Sequence, residues 1–161
     1  MKKPLFLLLI GFIALQLLVP SYMIFRNYDT LMTGEGYKFV VHTYYPNDPF
    51  RGRYVELRPD VMTYKTYAVL GRDEQGYAII SDSSDKPPLS GVYAKNLRLG
   101  RYYINERMAP IAERIQWELS EDDNLYLLVK VKSGHYVIEG LYLNDIPIEQ
   151  HISEGPRILY S

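Results

Sequence analysis

The sequence contains no cysteine, which excludes disulfide bonds, thiolate metal sites and a thiol nucleophile. Histidine is scarce: the three are His42, His135 and His151, and none has a second histidine at a chelating helical spacing. The net charge is −1 and basic residues form no block, so neither nucleic acid nor anionic lipid is expected as a partner. We therefore predict no metal site, no cofactor and no nucleic acid partner.

An uncharged apolar run, Pro4–Phe25, follows Lys2 and Lys3 at the start of the chain. At about 1.5 Å per residue the run would be roughly 33 Å long as a helix, enough to cross a hydrocarbon core of about 30 Å. Lysine favours the cytoplasmic side of a membrane. We therefore expect residues 1–25 to be a transmembrane signal anchor that contacts the bilayer through residues 4–25, with the N-terminus inside and the remaining chain outside.

A cleaved secretory signal is the main alternative to an anchor, and a soluble core helix is a second alternative. Such signals have an apolar centre of about 7–15 residues and a cleavage site of small residues. The run here is longer, and Pro20, Ser21 and Tyr22 offer no Ala-x-Ala pattern. Beyond it, we predict a short neck at residues 26–36 and one extracytoplasmic β-rich domain at residues 37–161.

Strand-like segments alternate with turn signals through most of this domain. They are Tyr37–Tyr45, Arg53–Arg58, Tyr67–Leu70, Tyr77–Ser81, Val92–Leu97 and Arg101–Ile104. One helix is predicted between Asn105 and Glu118, where apolar residues recur every three or four positions. The sequence thus predicts a mainly β (α+β) fold, with a small antiparallel barrel or sandwich and one helix.

The clearest local signal is the segment Leu125–Leu143, which alternates on both sides of Ser133-Gly134. A two-residue turn there would pair Lys132 with His135. Continued regularly, this register sets Leu125, Leu127, Val129 and Val131 opposite Tyr142, Gly140, Ile138 and Tyr136. We expect these residues to form the buried face of a hairpin.

The most distinctive segment runs from Pro46 to Leu57. Asp48 lies between two prolines and can accept backbone hydrogen bonds, Arg51 can close the turn, and Gly52 permits a positive φ. These features are explained either by a structural corner before a strand or by a docking patch. On the predicted helix, Glu106 and Glu113 share one face and form either a solvated flank or a catalytic carboxylate pair.

The chain resembles the GDYXXLXY family of bacterial membrane-anchored proteins. Gly52, Tyr54 and Leu57 match the family's motif, whereas Arg53 and Pro59 depart from it. A second block, Arg101–Glu113, and the C-terminal hairpin also resemble the family. The resemblance implies a location in the bacterial cytoplasmic membrane and a multi-pass membrane protein as partner, and it carries over no catalytic residue.

We therefore expect a non-enzymatic docking or accessory subunit of a membrane protein complex. The predicted docking patch combines both blocks: Asp48, Arg51, Gly52, Tyr54, Tyr103, Glu106 and Glu113. Within it, Arg51 or Arg53 is expected to pair with one of the two glutamates, with an aromatic ring alongside. The alternative function is an envelope hydrolase that uses Glu106 and Glu113 as acid and base.

Overall fold

The structure is a computed structural model that describes residues 2–44, 55–102 and 123–153. Within these ranges two helices and nine strands follow one another along the chain: α1 (Lys2–Thr33), β1 (Glu35–Tyr44), β2 (Val55–Pro59), β3 (Tyr67–Arg72), β4 (Ala78–Ser84), β5 (Tyr93–Lys95), β6 (Arg101–Tyr102), β7 (Leu125–Lys132), β8 (His135–Leu143), β9 (Ile146–Pro147) and α2 (Ile148–Ser153). The predicted mainly β class is confirmed. The predicted helix Asn105–Glu118 lies outside the described residues.

The strands form two antiparallel sheets. One has six strands in the order β6-β2-β1-β7-β8-β9, and the other has three in the order β4-β3-β5. In the described part of the chain, β6 and β9 lie at opposite edges of the larger sheet, so that sheet does not close on itself. Of the two predicted forms, barrel or sandwich, the barrel is therefore wrong, because a barrel requires its two edge strands to pair.

The two sheets share one apolar core. The larger sheet contributes fully buried side chains such as Phe39, Leu127 and Leu141, and the smaller sheet contributes Ala68 and Ala94. From Leu127 to Lys132, buried and partly buried residues of β7 alternate, as expected for a strand with one face on a core. Small residues in the three-stranded sheet allow it to lie close to the larger one.

Helix α1 leads into the β domain without a loop. It is 32 residues long, and Gly34 alone separates it from β1. The N–H of Gly34 donates to the Thr30 carbonyl at 2.9 Å, and a Cβ atom at position 34 would collide with that oxygen. Glycine is therefore needed for the direct passage from helix to strand. Among the described residues, no helix is both long and apolar enough to cross a membrane.

The β7–β8 hairpin has the turn that the sequence predicts. Lys132 pairs with His135, and the two turn residues Ser133 and Gly134 have φ values of 48° and 79°. Positive φ at both central positions is the requirement of the type I′ turn, whose twist matches that of the strands. The predicted pairing of Val131 with Tyr136 is also confirmed.

Beyond the Val129–Ile138 pair, the predicted register is wrong by one residue. A bulge between Leu128 and Val129 leaves Glu139 as an extra residue in β8. Leu127 and Leu125 consequently face Leu141 and Leu143, not Gly140 and Tyr142. The physical reason is burial: the bulge changes the phase of alternation, so that both β8 leucines reach the core.

Candidate functional site

The predicted docking residues all lie outside the described part of the chain. They are Asp48, Arg51, Gly52, Tyr54, Tyr103, Glu106 and Glu113. The expected pairing of Arg51 or Arg53 with a glutamate lies there as well. The candidate site described below is built from other residues, which the sequence patterns did not single out.

This site is a cleft between two loop segments, residues 59–65 and 96–100, with a volume of about 390 Å³. Such a volume is within the range of small-ligand sites, about 300–1,000 Å³. Its floor includes the buried side chains of Pro59 and Leu99. At its rim, Met62 is 62% exposed and Tyr64 is 97% exposed. The cleft thus combines an apolar floor with large apolar side chains in solvent.

Tyr136 holds one wall of the cleft in place. Its hydroxyl accepts the backbone N–H of Arg98 at 3.0 Å and lies 3.3 Å from the carbonyl oxygens of Asn96 and Arg98. Asn96 has a φ of 52° and donates its N–H to the Thr66 carbonyl at 2.7 Å. Segment 96–98 is therefore fixed by a side chain from the six-stranded sheet.

Asp85 holds the opposite wall. Its carboxylate accepts hydrogen bonds from Lys65 Nζ at 2.8 Å and from the Thr66 N–H and hydroxyl at 3.2 and 3.3 Å. The hydrogen bonds from Lys65 and from the Thr66 backbone lower the pKa of Asp85, and the same carboxylate raises the pKa of Lys65. Both walls are thus arranged before any ligand binds.

The described lining of the cleft carries two basic side chains. Among the described residues, neither a carboxylate nor a histidine lines the cleft, and its cations are Lys65 and Arg98. Lys65 is paired with Asp85, whereas Arg98 forms no salt bridge within the described ranges.

A second polar cluster joins the turn after β8 to β1. One oxygen of Asp145 accepts hydrogen bonds from Lys38 Nζ and from the Tyr126 hydroxyl, each at 2.7 Å. Burial, followed by the hydrogen bond to Asp145, raises the pKa of Tyr126 to about 12. The Tyr126 ring stacks on Tyr142 with 5.5 Å between centroids. A tyrosine that stays protonated at neutral pH is a structural donor here and not a base.

A third cluster attaches α1 to the tip of the β7–β8 hairpin. Lys132 Nζ donates to both Asp29 oxygens at 2.9 and 2.8 Å and to the Thr33 hydroxyl at 2.7 Å. His135 Nε2 lies 2.7 Å from Asn27 Oδ1. Burial, followed by the nearby charge of Arg26, lowers the pKa of His135. These contacts fix the direction of the helix relative to the domain.

Sequence reasoning missed the cleft because its parts are distant along the chain. Segments 59–65 and 96–100 share no sequence pattern. Tyr136 belongs to a hairpin whose alternation predicts only positions in the buried core. The one local signal is the alternation of Met62 and Tyr64 in a segment flanked by polar residues. Among the residues that the structure describes, no three His, Asp or Glu side chains are grouped to hold a metal ion.

Fold and cleft together define a two-sheet antiparallel β protein that is led by a helix and carries a cleft between two loop segments. The chain belongs to the GDYXXLXY family: the family model, described as GDYXXLXY protein, matches residues 16–141. The resemblance inferred from the sequence is thereby confirmed. No curated protein and no solved structure matches the chain.

Proposed function

We propose that this protein is a single-pass, membrane-anchored accessory subunit that docks onto a multi-pass membrane protein through the cleft. In this proposal α1 is inserted in the bacterial cytoplasmic membrane with its N-terminus inside and the β domain outside. The domain contributes binding and not catalysis. The observation that carries the docking proposal is the 97% exposure of Tyr64 at the rim of a pre-arranged, apolar-floored cleft.

Support for the anchor comes from the apolar run Pro4–Phe25 and from the surface of α1. Between positions 8 and 19, eight of its apolar side chains are 47–71% exposed: Leu8, Leu9, Phe12, Ile13, Leu15, Leu17, Leu18 and Val19. A helix that is apolar on every side requires an apolar environment on every side. Lys2 and Lys3 before the run favour an inside N-terminus.

Support for docking comes from the composition and position of the cleft rim. Tyrosine, methionine and arginine are enriched at protein interfaces, and an exposed aromatic beside a pocket is a typical anchor residue. The cleft is also close to the helix: Tyr136, which holds its wall, directly follows His135, which contacts Asn27 of α1. A partner embedded in the same membrane can therefore reach it.

Site-specific photo-crosslinking in native membranes tests the docking proposal. A benzophenone side chain replaces Tyr64 in one variant and Ile146 in a control, since Ile146 is also apolar and 41% exposed but does not line the cleft. We expect an adduct with one integral membrane protein from position 64 and none from position 146. The same adduct from both positions, or none from position 64, contradicts the proposal.

A second measurement separates specific docking from non-specific binding through exposed apolar side chains. Tyr64→Ala should reduce co-purification of the crosslinked protein about tenfold or more, because an interface anchor contributes about 2 kcal/mol or more. Ile146→Ala should leave co-purification unchanged. Both variants remove exposed side chains, so neither should lower the amount of folded protein in the membrane.

A further inference from the structure

The end of the domain nearest α1 carries a group of basic side chains from distant parts of the sequence. Arg26, Lys95 and Arg98 are exposed, and they form no salt bridge with any described residue. Each lies close to one of three consecutive hairpin residues. The N–H of Lys95 donates to the Gly134 carbonyl at 2.8 Å, Arg26 acts on the charge of His135, and the N–H of Arg98 donates to Tyr136 Oη at 3.0 Å.

Asp29, an acidic residue at the junction of α1 with the hairpin, is already paired. Asp29 is bound by Lys132 through both carboxylate oxygens. The Lys95 ammonium lies over the Tyr67 ring at 5.8 Å from its centroid, a contact that leaves the charge uncompensated. In the described part of the chain, Arg26, Lys95 and Arg98 are therefore three cations without a carboxylate partner, although the whole chain has a net charge of −1.

The hairpin tip reaches the outer end of the apolar run. His135 contacts Asn27, which is two residues after Phe25, an axial distance of about 3 Å along the helix. The headgroup layer on each side of a bilayer is roughly 5–7 Å thick. If α1 is anchored through residues 4–25, the tip is at the level of the lipid phosphates.

We propose that Arg26, Lys95 and Arg98 form a phosphate-binding surface at the membrane-proximal end of the domain, which recognises anionic phospholipids of the anchoring bilayer. The surface rests on the proposed membrane anchor and adds a lipid preference to it. Composition argued against anionic lipid as a partner, because the three cations are dispersed in the sequence and meet only in the fold. The guanidinium groups suit bidentate contacts to phosphate, and the lysine supplies a point charge.

Fluorescence quenching in vesicles tests this surface with the full-length chain. Because the protein has no cysteine, Ser133→Cys provides a single labelling position at the hairpin tip. The labelled protein is reconstituted in phosphatidylcholine vesicles that contain phosphatidylglycerol, and a headgroup nitroxide is placed on one lipid or the other at equal mole fraction. Leu15→Cys reports insertion of α1 in parallel vesicles whose nitroxide is on the acyl chain near the bilayer centre, because position 15 would lie about 15 Å from either end of the apolar run. Ile146→Cys reports the far end of the domain.

We expect the label at position 133 to be quenched by both lipids and more strongly by the anionic one. The label at 146 should not be quenched, since β7 spans eight residues and thus about 26 Å. Replacing Lys95 and Arg98 by glutamine should remove the difference between the lipids, as one basic residue near a membrane enriches anionic lipid roughly fivefold. Lys86→Gln, which changes an exposed lysine elsewhere, should preserve it.

The outcomes distinguish this surface from the anchor. Quenching at position 15 without quenching at 133 overturns the surface and leaves the anchor. Absence of quenching at 15 overturns both. Equal quenching at 133 by the two lipids, or an unchanged preference after both glutamine substitutions, shows that the tip meets the headgroups without recognising their charge and rejects the lipid specificity.

Discussion

At the scale of single residues, two glycines with the same backbone conformation have different surroundings. Gly134 and Gly76 have φ values of 79° and 87°, so alanine at either position is strained. A Cβ at Gly134 would lie 2.6 Å from the Tyr93 ring, whereas a Cβ at Gly76 would meet nothing within 4 Å. The two substitutions therefore share a conformational cost and differ in a steric one.

We predict that Gly134→Ala lowers the free energy of unfolding by about 1–3 kcal/mol more than Gly76→Ala, the usual cost of overpacking. Chemical denaturation of both variants in the same detergent would measure the difference. Equal losses of stability would mean that the Tyr93 ring moves away freely and that β5 does not pack firmly on the hairpin tip.

At the scale of elements, the junction between α1 and the hairpin depends on the charge of Asp29. The hydrogen bond from Lys132 is the largest cause that lowers the pKa of Asp29 below its ordinary value of 3.8. A carboxylate with a lowered pKa stabilises the folded state above its ordinary pKa and ceases to do so as pH falls through the lowered value. The junction should consequently loosen in acid.

Distances between nitroxides at Tyr28→Cys and Ile146→Cys would detect this loosening. We expect a narrow distribution at neutral pH that broadens only as pH falls through the lowered pKa of Asp29, below the ordinary value of 3.8. Asp29→Asn should give a broad distribution at every pH. Asp145→Asn, which removes another carboxylate with a lowered pKa, should leave the response to pH intact. A distribution that stays narrow in Asp29→Asn would show that packing alone holds the junction.

The β7–β8 hairpin shows how far sequence patterns determine an element. Alternation and the Ser133-Gly134 pair were sufficient for the turn and the first pairs, because these depend on neighbours along the chain. The bulge at Glu139 was missed, although the apolar residues of β8 change phase between Ile138 and Leu141. A regular ladder was assumed, and burial of the two leucines determined the real one.

At the scale of the whole molecule, the candidate site could not be predicted from sequence patterns. The mainly β class follows from local alternation, but the cleft requires Tyr136 and Asp85 to meet loops that are distant from them in sequence. The basic surface needs Arg26 and Lys95 to meet at the hairpin. Such sites depend on the order of strands in the sheets and on which loops lie at the same end of the fold. A local sequence pattern predicts neither of these.

The direct connection from α1 to β1 makes orientation in the membrane a property of the entire chain. The lysines before the apolar run predict a cytoplasmic N-terminus and an external domain. We expect a membrane-impermeant maleimide to label Ser133→Cys in intact cells whose outer barrier has been opened. Lys3→Cys should react only after the inner membrane is permeabilised. The reverse pattern would place the domain inside, where the cleft and the basic surface would face a cytoplasmic partner and the inner leaflet. Labelling of both positions in intact cells would contradict insertion of α1, because the maleimide would then reach residues at both ends of the helix without crossing the inner membrane.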